Sequence, residues 1–446
     1  MSSGFTMANT RMKMLAGAVL FCVGAAMATS AMSTTLYGGG ATLPAGAYVG
    51  WKFQTTTPLG VLTLPADVSS TSIFGQWGGT TNSVQYCQTG SGGGKRVLNG
   101  DTSGSPSLIA NGVCNPGFPA SPPAANPPGF QVPTTAVVQP DFIGSDAPYA
   151  SSEYATFVAN KGTAKGEPVQ FPSIAGSIAI VYNNADLGST TLNLTQAQVC
   201  GVFSGAITDW KTLNSSLPSK TINVVFRSDG SGTSFNFGNY LANVCGTVGG
   251  GHFQTQQTFF SSTSTASVIG LTALNSSSSK TGVSGNPLVV STVASTDGTI
   301  GYAEAGNAFS HPAGGTPTKL VNIATIGGKD PIADLPASLA VTVTFDKTIT
   351  GVNSTGQATL AAQTPNSVAN CLGIVDPSTY AVQPAANYPI VAVTYLIANQ
   401  KGNSTDLTAL RSFMIFPQNH TVTEPGYAQL TGTGINTAKA LTCLSS

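Results

Sequence analysis

Charge is scarce in this chain. Asp, Glu, Lys and Arg make up 8% of its 446 residues, and the two signs balance at 17 each; ordinary soluble domains carry about 25% charged residues. A balanced surface offers no positive field, so net charge draws neither nucleic acid nor an anionic membrane to it. Histidine is rarer still: His252, His311 and His420 lie far apart with no carboxylate pattern around them, and each reads as a surface or turn residue. No Gly-x-Ser-x-Gly, His-Glu-x-x-His or Gly-x-x-x-x-Gly-Lys-Ser/Thr motif occurs, which removes the commonest serine-hydrolase, zinc-protease and nucleotide-binding signatures. No two cysteines have Cys-x-x-Cys spacing. The apolar run Met14 to Ala26 is too short to span a membrane.

That run does have a use. Arg11 and Lys13 precede it and small residues follow at Ala26-Met27-Ala28 and Thr29-Ser30-Ala31, so residues 1–31 read as a secretory signal peptide. Phe21 stands before Cys22, where a lipoprotein peptidase takes a small side chain. Cleavage removes two bases and no acid, leaving a slightly acidic mature chain. Six cysteines then remain, Cys87, Cys114, Cys200, Cys245, Cys371 and Cys443. An even set in an exported chain favours disulfides over metal ligands. Consecutive pairing is the expectation.

The length suits two lobes rather than one core. Short apolar strands alternate with helix-like stretches, the pattern of an α/β protein with covered, mostly parallel sheets. Residues 101–135 interrupt it with eight prolines and read as an extended surface insertion. Residues 276–286 read as a Ser/Lys/Gly loop. Residues 310–370 are Thr/Val-rich and could hold a β extension, with Leu339 to Thr350 its clearest strand.

The most informative segment is Arg227-Ser-Asp-Gly-Ser-Gly-Thr233, between the apolar run Ile222 to Phe226 and the helix-compatible stretch Ser234 to Val244. A strand feeding a Gly/Ser turn that opens a helix gathers free backbone N–H groups, hydroxyls and the positive end of a helix dipole. Arg227 adds a planar fork for two oxygens. Asp229 can only accept, which suits an anion that carries a proton. An ordinary helix cap at Asp229 or Ser231 fits the same residues. Similar turns recur at Gly38 to Pro44, at Gly90 to Gly94 after the strand-like Ser83 to Cys87, and at Phe142 to Pro148. Capping alone does not call for four.

Gly-Gly-Gly-Ala-Thr-Leu-Pro at 38–44, Gly-Ser-Asp-Ala-Pro at 144–148, Gln-Phe-Pro at 170–172, Val-Phe-Ser-Gly-Ala-Ile-Thr-Asp-Trp at 202–210, Arg-Ser-Asp-Gly-Ser-Gly-Thr-Ser-Phe at 227–235 and Gly-Thr-Ile-Gly-Tyr at 298–302 occur in this order. Together they resemble the periplasmic phosphate-binding proteins of bacterial ABC uptake systems, of the type II periplasmic-binding-protein superfamily. The opening segment is also similar to the secreted DING-type branch.

The resemblance implies a two-lobed α/β fold with inorganic phosphate held between the lobes. Lobe I would be residues 32–172 plus 389–446 and lobe II residues 173–388, with crossings at Gln170 to Ser173 and Tyr388 to Tyr395. Lobe I would supply Thr42, Leu43, Ser91 and Asp146; lobe II would supply Arg227, Asp229, Ser231, Gly232 and Thr233. Asp146 would accept the proton of the bound phosphate, and Asp229 would hold Arg227 by a fork-to-fork pair. Whether Ser91 or Gly92 meets the ligand stays open. No cofactor, metal or catalytic residue is implied. A monomer is expected, in the periplasm or outside the cell, with an inner-membrane ABC permease as one partner. A secreted phosphatase and a surface-structural protein with a vestigial anion site are the alternatives.

Overall fold

In this computed structural model the described residues are 1, 33–55, 67–79, 81–100, 140–262, 264–269, 279–312, 315–364, 368–434 and 438–446. The signal peptide, the proline-rich insertion and Cys114 lie outside them. Residues 33–446 cluster as one compact unit.

The strands that build the sheets are β1 (Thr35–Gly40), β2 (Ser83–Cys87), β3 (Phe142–Ser145), β4 (Pro168–Asn183), β5 (Asn223–Arg227), β6 (Lys280–Val283), β7 (Thr299–Glu304) and β8 (Asn322–Ile323). They continue with β9 (Ser338–Phe345), β10 (Lys347–Val352), β11 (Ala358–Ala362), β12 (Gly373–Val375), β13 (Val391–Asn399) and β14 (Tyr427–Thr433). The helices that matter below are α1 (Ala45–Val49), α2 (Gly90–Leu98), α3 (Ser151–Lys165), α4 (Gly232–Val244), α5 (Asn286–Ser295) and α6 (Leu407–Asn419).

β4 organises the rest. All but the last of its 16 residues are buried, as expected of an apolar strand covered on both faces. Its first part, through Ser177, pairs antiparallel with β13 and β14; its last part, Ile178 to Asn183, pairs antiparallel with β7. It is thus shared by two sheets. The first runs β12-β9-β14-β4-β13-β3-β1-β2, and the second joins β6, β5, β7 and β8 to the far half of β4. Pro172 sits inside this central strand at a register irregularity between Val393 and Tyr395, the kind of place where a missing N–H is tolerated.

Parallel pairing frames the site on both sides, besides joining β9 to β14. β1 lies between β2 and β3, parallel to both; β5 lies between β6 and β7, parallel to both. The carboxyl ends of β1, β2, β3, β5 and β6 each lead into a short loop, and such ends are where open α/β sheets bind ligands.

Two sequence expectations change here. The strand expected over Leu339 to Thr350 is two strands, broken at Asp346, which takes a left-handed φ of 54°. β9 pairs with β12 and β14 in the first sheet, and β4 passes from that sheet to the second after Ser177. Finally, the loop expected at 276–286 contains β6 and the start of α5; the strand is four partly exposed residues at a sheet edge, too short and too polar to announce itself.

The cysteines pair Cys200 with Cys245 and Cys371 with Cys443, as consecutive pairing requires. Cys87 is disulfide-bonded as well. Trp210 and Phe237 are fully buried and Phe235 nearly so, in keeping with core packing.

α2 begins Gly-Ser-Gly-Gly-Gly, a poor helix by propensity. Tertiary contact explains the glycines: a Cβ on Gly92 would come within 2.9 Å of the Gly230 Cα, and one on Gly94 within 2.7 Å of the Gly40 Cα. Propensity alone makes Gly94→Ala stabilising by about 1 kcal/mol, whereas overpacking against the β1 backbone costs about 1–3 kcal/mol. Gly94→Ala is therefore expected to lower the thermal unfolding midpoint. An unchanged or raised midpoint in differential scanning calorimetry would contradict that contact.

Candidate functional site

Four helix starts converge at the strand ends. The Thr42 hydroxyl lies just before α1, Ser91 is in the first turn of α2, Ser231 caps α4, and Gly285 precedes α5. First-turn amides have no partner within their own helix, so Leu43, Ser91, Gly232 and Thr233 bring the donor-rich ends of these segments to one place. Thr42, Leu43, Ser91, Asp146, Arg227, Ser231 and Thr233 are all at most 2% exposed.

Arg227 ends β5 and is 1% exposed. Its Nε and Nη2 donate to the two oxygens of Asp229 at 2.6 and 2.5 Å, the bidentate geometry that best matches guanidinium to carboxylate. Nη1 donates to Thr42 Oγ1 at 3.1 Å, to Thr233 Oγ1 at 3.3 Å and to Asn286 Oδ1 at 3.1 Å. One guanidinium thereby joins elements from both sheets. Beneath it, the Tyr302 hydroxyl accepts from the Arg227 amide at 3.2 Å and shares a hydrogen bond with Ser234 Oγ, so Tyr302 supports the Arg227 backbone.

Asn286 is a site residue that the sequence reading missed. Its amide donates to Thr42 Oγ1 and its Nδ2 to Thr233 Oγ1, each at 3.3 Å, and the neighbouring Gly285 amide donates to Asp229 Oδ1 at 3.2 Å. The available signal was Gly285-Asn286-Pro287, a glycine and a proline bracketing a helix start.

Asp146 has different surroundings. It is 1% exposed and its Oδ1 has no hydrogen-bond partner. Its amide donates to Ser91 Oγ at 3.0 Å. A Cβ on Gly232 would stand 2.4 Å from Ser91 Oγ and 2.7 Å from Asp146 Oδ2, so the α4 start needs glycine to approach both. Ser91, rather than Gly92, presents its side chain here; the Gly92 amide is taken by the Gly230 carbonyl at 2.8 Å. Ser231 Oγ accepts from the Ser234 amide at 3.0 Å, an ordinary N-cap, and its hydroxyl hydrogen stays available. Capping and site geometry coexist in one residue.

Burial pushes the Asp146 carboxyl up to about 7, against the pull of Arg227 and Ser91. A buried carboxyl with an unpartnered oxygen, beside a guanidinium and several helix starts, can accept a proton from a tetrahedral oxyanion that the other groups hold. The histidines stay apart from this cluster. His252 bonds near Gly246, His311 stacks on Trp51 at 3.9 Å, and His420 stacks on Phe416. His311 is half-buried against that ring rather than a simple surface residue. Among the described residues no group of three or more His, Cys, Asp or Glu could hold a metal ion.

A family model described as a PBP superfamily domain matches residues 62–416. A phosphate-binding protein from an unknown prokaryotic organism is 30% identical over 282 residues, covering 61% of this chain and 70% of that protein. Phosphate-binding protein PstS2 of Mycobacterium bovis is 33% identical over 285 residues, 61% of this chain and 65% of that protein. Alkaline phosphatase L of Pseudomonas aeruginosa is 38% identical over 169 residues, 38% of this chain and 42% of that protein. The match thus spans under two thirds of the second relative and under half of the third. A crystallised high-affinity periplasmic phosphate-binding protein with bound phosphate superposes with a TM-score of 0.55 at 25% identity over 92% of each chain. The Stenotrophomonas maltophilia phosphate-binding protein has the same fold, with a TM-score of 0.55 at 24% identity over 86% of this chain and 83% of that one.

With Asp146 raised above its ordinary value, the folded chain holds a proton that the unfolded chain has lost between about pH 4 and pH 7. Stability is greatest at the acid end of that window and falls as pH rises through it. Burial raises Asp141 to about 7 and Glu304 to about 8, with the same sign. The unfolding midpoint of phosphate-stripped protein is expected to drop between about pH 5 and pH 8, and Asp146→Asn to shrink that drop. A wild-type midpoint that rises across the interval, or an unchanged slope in Asp146→Asn, would contradict the assignment.

Proposed function

The chain belongs to the PBP superfamily and to its phosphate-binding family, and on that premise we propose that it is an exported solute-binding protein that captures inorganic phosphate without changing it. The observation that carries this reading is the pairing of a buried Arg227 with an unpartnered, buried Asp146 oxygen at the meeting of four helix starts. Thr42, Leu43, Ser91, Arg227, Ser231, Gly232, Thr233 and Asn286 supply the donors, with Asp229 holding the guanidinium and Asp146 accepting the proton of the ligand.

The role of Asp146 sets selectivity. Sulfate has no proton at neutral pH and would face that carboxyl with two unpaired acceptors, a loss of several kcal/mol and a discrimination of about 10³-fold or more. The two sheets mark two lobes: β1–β3, β9 and β12–β14 in the first, β5–β8 in the second, with β4 crossing near Ser177. Thr42 and the first turn of α2 meet the Arg227 turn across them, and opening would part these contacts. Among the described residues no helix is long and apolar enough to cross a membrane. Delivery to an inner-membrane ABC permease and scavenging after release outside the cell are both compatible with such a monomeric binder.

A phosphatase reading draws on the name of the Pseudomonas aeruginosa relative. The site's arrangement supports capture better: Thr42 and Thr233 oxygens accept from Arg227 and Asn286, and none of their hydroxyls meets a base that would activate it.

Calorimetric titration of phosphate and then sulfate into stripped protein tests the proposal. Wild type is expected to bind phosphate at micromolar or tighter Kd and to exclude sulfate. Arg227→Ala should weaken phosphate by about 100-fold or more. Asp146→Asn should narrow the preference over sulfate, because the amide donates at every pH whereas the ionised carboxyl only accepts. Turnover of p-nitrophenyl phosphate, or no heat from phosphate, would overturn the reading.

A further inference from the structure

Glu153, in the first turn of α3, ties three places together. Its Oε2 accepts from Lys95 Nζ at 2.7 Å and from the Ala150 amide at 2.8 Å, and its Oε1 accepts from Gln257 Nε2 at 3.1 Å. Lys95 is 1% exposed, lies one turn after Ser91 in α2, and also donates to the Ala147 and Pro148 carbonyls, at 3.3 and 3.4 Å. Gln257 belongs to the stretch between α4 and β6. Its backbone carbonyl accepts from the Ser231 amide at 3.0 Å. A continuous set of contacts therefore runs from the loop after Asp146, through Lys95 and Glu153, across to Gln257 and on to the helix cap at Ser231.

We propose that Gln257 is a positioning residue for phosphate: its side chain latches to Glu153 across the two halves while its carbonyl fixes Ser231 in the site. The inference rests on the phosphate reading above. Glu153 is built into the first half by Lys95 and the Ala150 amide, so it offers a fixed acceptor. Gln257 lies outside the ligand's own contacts, so losing the latch changes how long the closed form lasts and leaves the groups that recognise the anion in place. A side chain with a merely structural role would change folding stability and not residence time. The Gly92 amide to Gly230 carbonyl bond, at 2.8 Å, is a further crossing point, as are the bonds of Arg227 and Asn286 to Thr42; these contacts keep the approach of the halves when Gln257 is altered.

Stopped-flow measurement of phosphate dissociation from the mature chain, with sulfate competition beside it, tests the latch. Gln257→Leu is expected to speed dissociation about tenfold and leave the phosphate-to-sulfate preference unchanged. Gln257→Glu sets a second carboxylate against Glu153, with Lys95 the charged group behind it among the described residues. It is expected to speed dissociation further at neutral pH and to recover towards the wild-type rate at acid pH, as the introduced carboxyl takes a proton and becomes a donor. Wild-type rates in both variants, or a Gln257→Glu rate that ignores pH while wild type binds normally, would overturn the latch alone. Failure of wild type to bind phosphate would overturn the reading on which it rests.

Discussion

A guanidinium 1% exposed is the constraint on which the site depends. Removing a charge from water costs several kcal/mol unless it is paired and its remaining protons are bonded. Asp229 meets two donors of Arg227 in parallel, and Thr42, Thr233 and Asn286 meet the third nitrogen. These partners come from the loop after β1, the turn after β5, the start of α4 and the start of α5. Each element must therefore end where it does for the charge to be tolerated at all. The strand ends, the glycine approach at Gly232 and the Tyr302 support beneath the Arg227 amide all serve that placement.

Asp146 is the complementary constraint. Its burial raises the energy of the ionised form, and an oxygen left without a protein donor becomes specific for a ligand that brings one. Donors and acceptor together describe a partner that is anionic, tetrahedral and protonated. Net charge contributes little, since the chain is balanced; in the proposed function, helix starts and one guanidinium would do locally what a basic surface does for anion-binding proteins.

Much of this was legible in the sequence because the site is built from contiguous turns. Arg227 to Thr233 carries strand end, ion pair, cap and helix start in seven residues, and the Gly38 and Phe142 segments are similarly compact. Asn286 was not legible. It follows a polar four-residue edge strand whose pairing with β5 depends on tertiary contact, and nothing local marks such a strand. The glycine-rich start of α2 read as a turn because propensity opposes a helix there; close backbone contact with Gly40 and Gly230 overrides it. The allegiance of β9 and β12 to the first sheet was hidden for a related reason, since sheet membership is decided by partners distant in sequence, here β14 and each other. The Glu153–Gln257 contact joins residues 104 apart, again beyond local pattern.

The most direct test of the account is phosphorus-31 NMR of phosphate bound to the wild-type chain and to Arg227→Ala. A bound resonance, distinct from free phosphate, is expected, with a shift that stays nearly constant between about pH 5 and pH 8 because the ligand's proton is held against Asp146, and it is expected to disappear in Arg227→Ala. A bound resonance that titrates in step with free phosphate, or one that survives loss of the guanidinium, would contradict it.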